Sequence, residues 1–299
     1  MTLLTKDVTK VVWVDVNSRP WHLAGPGVGA EGVIWGADPK GLMFPPHEIL
    51  SDAGARQDGA TPRRPVVSKK DLDFNVSIGN LVGLQIRDYR HWQQVHALWW
   101  RGWSRRKPGH LCIFTRGKGW RKEPFYLADA PEPHNGLDPA RNLNEVYTLS
   151  ATGFEPFWAG LEREVKWVNT SGSNQGVLKM RNDASEEAWP RYTLKGPGRY
   201  FIQDFDPAAD PDADLRMMTI PTLVAGETAR IDLHPRHRTA RVYNASGVYL
   251  RNIWGQMAGR RFLNPIQPWG TTEINVAVEG GDLTSEVVGT LTPLDASPL

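Results

Sequence analysis

The chain has 299 residues, 40% of them hydrophobic and 23% charged, with a formal net charge of +2. That length exceeds a usual single core, so two domains of about 150 residues, each burying roughly 70% of its unfolded surface, are expected. The near-neutral charge argues against bulk nucleic-acid binding, and no apolar run approaches the ~18 residues of a membrane span. Cys112 is the single cysteine, which excludes an internal disulfide and a multi-thiolate metal site; its neighbours Leu111 and Ile113 suit a buried thiol. The N-terminal stretch lacks a basic region followed by an apolar core, so no secretory leader is expected. The 29 glycines and 23 prolines point to many turns.

In chain order, VVWVDV at 11–16 has apolar residues on both faces and predicts an interior strand. In GPGVGAEG, Gly27, Gly29 and Gly32 match a dinucleotide-binding spacing, with Asp52 further on. The match is read as accidental, because Gly36, Pro39 and Gly41 leave no helix to hold a pyrophosphate. His47 to Pro65 shows no periodicity and predicts a long exposed loop. Leu72, Phe74, Val76 and Ile78 alternate with Asp73, Asn75 and Ser77, the clearest strand pattern.

A helix is predicted over 87–103, with Tyr89, Trp92, Val95, His96, Trp99 and Trp103 in one apolar stripe. From Tyr89 to Lys122 there are nine Lys or Arg and no Asp or Glu, interleaved with five tryptophans. Such a mixture could face nucleic acid, but it is better read as tryptophans packing the helix on a sheet while the cations stay solvated or meet an acidic surface. His110–Thr115 and Glu123–Ala128 predict a hairpin turned at RGKGW. DAPEPHNGLDPARN follows as a loop.

Tyr147, Leu149 and Ala151 alternate with Thr148 and Ser150, a strand ended by Gly153 and Pro156. Pro156, Phe157 and Trp158 are taken as a domain seam, giving domains of 1–158 and 159–299. After the seam, short alternating segments around Val165, Ile231 and Val276 are divided by turn signals, the pattern of a β-sandwich. The fold class expected is mainly β with one amphipathic helix in the N-terminal half.

No catalytic constellation emerges. Asp210, Asp212 and Asp214 begin like a calcium loop, but Leu215 and Pro221 stand where Gly and Glu are required. Pro235 between His234 and His237 denies them zinc-ligand helical spacing. Glu162, Glu164, Glu186 and Glu187 are read as solvated charges, and Ser173 lies outside a nucleophile motif. No enzyme, metal or cofactor is expected, and cell-wall hydrolysis is left without a supporting motif.

NQG at 174–176, WPRYTLKGPG at 189–198, IPTLVAGETARIDLHPRHRTAR and PIQPWGTTEINVAV together resemble the C-terminal half of the distal tail proteins of phages with long non-contractile tails. The seam EPFW resembles the family's aspartate-proline-aromatic-tryptophan motif, with Glu155 in place of aspartate, and the helix with its basic-aromatic sequel resembles the family's N-terminal domain. The resemblance implies a homo-oligomer, a hexameric ring at the virion tail tip assembled in the host cytoplasm. The N-terminal domains would close the ring and galectin-like or carbohydrate-module-like sandwiches project from it, with Phe157 and Trp158 at the seam fixing the angle between the two. Implied partners are the tail tube protein and a tail-tip or baseplate hub protein with its receptor-binding proteins; the tape-measure protein is a further candidate. DNA would pass through without being recognised, and no membrane insertion is implied.

For such assembly, Arg101, Arg105, Arg106, Lys107, Arg116 and Lys118 are candidates for a basic partner surface, and Asp210, Asp212 and Asp214 for its acidic complement. The alternative is a carbohydrate-binding module contacting the host surface through Trp189, Tyr192 or Trp254. Those rings suit a core equally well.

Overall fold

The computed structural model describes residues 8–55, 58–79, 86–134, 138–170, 172–210, 215–257 and 259–299. The chain forms two compact units, one of residues 1–160 with 295–299 and one of residues 161–294. Trp158 therefore stays in the first unit, and the final residues, expected in the second domain, return to the first.

In the first unit the elements are β1 (Lys10–Val14), β2 (Pro20–Ala24), β3 (Val33–Trp35), β4 (His47–Asp52), β5 (Thr61–Val67) and β6 (Lys70–Gly79). Helix α1 (Tyr89–Arg101) follows, then β7 (Gly109–Thr115), β8 (Gly119–Leu127), β9 (Glu132–Pro133), α2 (Pro139–Asn142), β10 (Asn144–Gly153) and β11 (Trp158–Ala159). The main sheet runs in the order β2-β1-β7-β8-β10-β6-β3. The alternation in β6 places Leu72, Phe74, Val76 and Ile78 in the core, and β6 pairs with β10 from Asn144↔Gly79 to Gly153↔Lys70.

Helix α1 is shorter than its expected span because both ends are capped inside it. The Asp88 carboxylate accepts from His91 N at 2.8 Å, and Gly102 closes the last turn. Trp92, Val95 and Trp99 are buried, whereas Tyr89, expected in the same stripe, sits in the first turn and is 39% exposed. Trp103, beyond the helix, stacks on Trp13 with ring centroids 4.0 Å apart, and Trp92 Nε1 donates to the Ile78 carbonyl at 2.9 Å. Tryptophans thus pin the helix to the sheet. In the glycine-rich turn, Gly32 is followed by strand β3 rather than by a helix, so the fingerprint geometry is not built.

The long loop expected at 47–65 is a correction. Its backbone forms the hairpin β4–β5, a two-stranded sheet apart from the main one. Every residue of its two strands is exposed except the half-buried Val67. A strand with no buried face carries no apolar alternation, so its pattern is silent in sequence. Likewise the loop after β8 contains the short β9 and α2, the latter capped by Asp138.

The second unit holds β12 (Arg163–Val168), β13 (Gln175–Asn182), β14 (Arg191–Lys195), β15 (Gly198–Gln203), β16 (Met217–Leu223) and β17 (Thr228–Asp232). They are followed by β18 (Thr239–Tyr243), β19 (Tyr249–Asn252), β20 (Gly270–Glu279) and β21 (Glu286–Leu291). A six-stranded antiparallel sheet, β12-β21-β14-β17-β18-β19, and a four-stranded one, β13-β20-β15-β16, make the expected sandwich. Alternate residues such as Leu178, Met180, Leu194, Ile202, Ile231 and Val276 fill its core.

A Cβ at Gly109 would lie 2.2 Å from the Trp13 ring, so a glycine there is what lets Trp13 reach Trp103. Gly109→Ala is expected to destabilise the first unit by about 1–3 kcal/mol through overpacking, read as a lower midpoint in denaturant unfolding followed by tryptophan fluorescence.

Candidate functional site

The basic segment resolves into cations with different surroundings. Arg101, Arg105, Arg106, Lys107 and Arg116 are exposed. Lys118 is not a free partner contact: its ammonium reaches Asp295 at 3.2 Å and the Ser297 carbonyl at 2.9 Å. Arg121 Nε meets the same carboxylate at 2.6 Å, and the Asp295 side chain is only 1% exposed. The basic hairpin β7–β8 therefore holds the returning C-terminal residues of its own unit, which removes Lys118 from the partner surface. Arg105 lines a cleft of about 610 Å³ together with Asp71, Asp73, Tyr126, Asp129 and Phe154, a lining of mixed sign. On the acidic side, Asp210 is exposed, and Asp212 and Asp214 lie outside the described residues.

The seam residues all lie within the first unit. Pro156 is buried, Phe157 half-buried, and Trp158 has no exposed surface. The Trp158 indole donates to the Leu42 carbonyl at 3.2 Å, packs near Phe125, and lies beneath the Lys70 ammonium, 4.7 Å from the ring centroid. Trp158 is thus a core residue of this unit, and its expected part in an interdomain angle is corrected: loss of the ring would open the core of the unit.

Lys70 itself is fully buried and forms an ion pair at 2.7 Å with the equally buried Glu123. Burial pushes the Glu123 carboxyl up to about 7 and the Lys70 ammonium below its usual range. Each group loses water on burial, and the opposite charge beside it offsets part of that cost, with the Trp158 face adding a cation–π contact. Neither residue stands out in sequence, because a charged residue in a strand ordinarily faces water.

In the second unit, Tyr192 is 2% exposed and belongs to the core, so it cannot offer a sugar its face; this corrects its candidacy. Trp189 and Trp254 are half-buried against the same core. Of the thirteen tryptophans, only Trp269 is classed as exposed, at 69%. It stands between Pro268 and Gly270 with φ of 59°, a left-handed backbone that is rare for a bulky residue. Sequence reasoning passed over it, although the Pro-Trp-Gly triplet marks a turn that displays a ring.

The outer face of the six-stranded sheet forms a depression of about 340 Å³ lined by Arg191, Arg230, Arg241, Asp232, Glu162 and Tyr243, among others. Arg191 pairs with Glu162, and Arg230 stacks on Tyr243 at 4.9 Å. Opposite charges thus share the surface. His234 and His237 stack at 5.3 Å. Among the described residues, no group of three or more His, Cys, Asp or Glu is placed to hold a metal ion.

This pair of units, a helix-braced sheet and an antiparallel sandwich, has the fold of phage tail-hub proteins. The chain superposes on the Dit protein (gp 19.1) of phage SPP1 with a TM-score of 0.61 at 8% identity, over 96% of this chain and 99% of that one. A chain of the phage P2 baseplate in its Ca-activated conformation gives 0.53 at 10% identity, over 95% and 98%. In sequence, the chain is 24% identical over 306 aligned residues to minor tail protein Gp27 of Mycobacterium phage D29, spanning 85% of this chain and 87% of that protein. It is 22% identical over 329 aligned residues to Gp27 of Mycobacterium phage L5, spanning 92% and 93%. No protein-family model matches the chain. Sequence relatives and fold together support a phage minor or distal tail protein, a structural component of the virion tail.

The buried pair supports a definite expectation. Lys70→Met alone should cost the first unit about 3–5 kcal/mol by stranding the Glu123 charge, whereas Lys70→Met with Glu123→Met should recover most or all of that loss. Chemical denaturation of the three proteins checks it, and equal losses in single and double variants would contradict it.

Proposed function

We propose that the chain is a structural hub of a phage tail tip, in which copies close into a hexameric ring joining the tail tube to the tip or baseplate proteins and their receptor-binding proteins. The observation that carries this is the near-complete overlap in length, both with two minor tail proteins and with a tail-hub fold. A matching domain alone would say less; here both units and their order are shared. Ring closure requires two different complementary patches on each copy, and the first unit offers exposed features of different character. Arg101, Arg105, Arg106, Lys107 and Arg116 stay exposed and are kept as a candidate partner-facing surface. Assembly in the host cytoplasm, contact with a tape-measure protein and passage of DNA through the ring follow from the same hub function.

A second function has its own observation. Trp269 holds an exposed ring on a strained turn, the form of a platform on which a sugar can stack. The sandwich would then touch glycan on the host surface while the first unit assembles.

Light scattering with electron microscopy of the purified chain tests the hub: a particle with a central hole and the mass of a hexamer is expected. A monomer at high concentration, persisting when the tail tube protein is added, would contradict it. For the second function, binding to host cell-wall polysaccharide should fall at least tenfold, about 1.4 kcal/mol, in Trp269→Ala. Equal binding by both proteins, or none by either, would sink it.

A further inference from the structure

The outer face of the six-stranded sheet is ordered in rows, since residues opposite one another on neighbouring strands share a face. One row runs Lys166, Val288, Thr193, Arg230, Arg241, Asn252. It holds three cations and no acid. Lys166 is paired with Glu286 at 2.7 Å, whereas no carboxylate among the described residues pairs with Arg230 or Arg241. Glu164 and Asp232 stand in the next row, where Arg191 already meets Glu162. Arg230 and Arg241 are direct cross-strand partners, both exposed, and like charges so placed weaken a strand pair. Arg230 is held on the Tyr243 ring, 4.9 Å from its centroid. The hairpin they belong to, residues 228–243, has four arginines against one aspartate, so its field attracts anions.

Both arginines line the depression of about 340 Å³, a size in the range of small-ligand clefts. Tyr192 and Ile231 border it from the core and are buried. Every other lining residue is charged or carries a hydroxyl, Thr193, Thr239 and Tyr243 among them. A protein partner would cover roughly 800 Å² around an apolar centre, which this lining lacks. A sugar with an acid group matches it: guanidinium forks grip a carboxylate or phosphate through paired hydrogen bonds, and hydroxyl side chains bond the hydroxyls of the ring.

We infer that this face of the sandwich binds an acidic glycan, with Arg230 and Arg241 clamping a carboxylate or phosphate of one sugar while Thr193, Thr239 and Tyr243 bond its hydroxyls. The bound anion then supplies the attraction that the opposed arginines lack in the free protein. The site names the class of glycan in the surface-contact reading and rests on that reading. It uses a different sheet from Trp269, which precedes β20 of the four-stranded one.

Isothermal titration calorimetry of the full chain with soluble polymers tests the site. Polygalacturonate carries carboxylates, phosphorylated dextran carries phosphates, and plain dextran carries neither. At least one charged polymer should bind, at least tenfold more tightly than plain dextran, and the one that binds identifies the acid group. Arg230→Gln and Arg241→Gln should each weaken that binding at least tenfold. Arg241→Gln should also keep an unfolding midpoint at or above that of the wild type, because it relieves the cross-strand repulsion. Arg199→Gln removes an equal charge from β15 of the other sheet and should bind as the wild type does. Equal weakening in all three variants would reduce the effect to bulk charge and overturn the site, as would a lowered midpoint in Arg241→Gln. Polyglutamate bound as tightly as the charged glycan would make the partner an acidic protein and overturn it too. Undiminished binding by both arginine variants, with a loss in Trp269→Ala, would overturn the arginine site and leave the glycan reading standing. Failure of every polymer to bind would overturn the site, and failure of host cell-wall polysaccharide as well would remove the glycan reading with it.

Discussion

Two opposite charges removed from water hold the centre of the first unit. Lys70 begins β6, Glu123 lies in β8, and Trp158 in β11 closes over the ammonium, so the pair ties together strands that are far apart in sequence. A buried ion pair gains little net stability over an apolar filling, but it penalises every arrangement that separates the partners. Outside it, the tryptophan stack of Trp13, Trp103 and Trp99 fastens α1 to the sheet.

A core so closely made leaves the hairpin β4–β5 outside it. Elements that form a unit's own core are read by burial, and those that serve assembly are left with apolar side chains in water. Ile49 on the hairpin, Leu98 on α1 and Trp269 on the sandwich are apolar side chains left in water. The basic hairpin shows the contrast: Lys118 looks like a partner surface in sequence, yet with Arg121 it is spent on Asp295 of the same unit.

Much of the architecture was legible from the residues. Period-2 alternation in β6 and β10 and the helical stripe of Trp92, Val95 and Trp99 gave their elements correctly, because each buries one face. The sandwich followed from regularly spaced short strands, and the likeness to distal tail proteins from blocks that the later comparisons support. What stayed hidden has a common cause. The hairpin at 47–67 buries no face, Lys70 and Glu123 bury charges that sequence assigns to the surface, and the return of residues 295–299 depends on contacts across the chain. Tyr192 and Trp158 were misassigned for the converse reason: an aromatic side chain has the same identity in a core as on a platform, and only its surroundings decide.

The central claim concerns a place in a particle, so it is tested most directly on the particle. Gold-labelled antibody against this chain, viewed on intact virions by electron microscopy, should mark only the distal end of the tail. Label along the tail shaft or on the head, or virions that lack the chain altogether, would contradict a tail-tip hub.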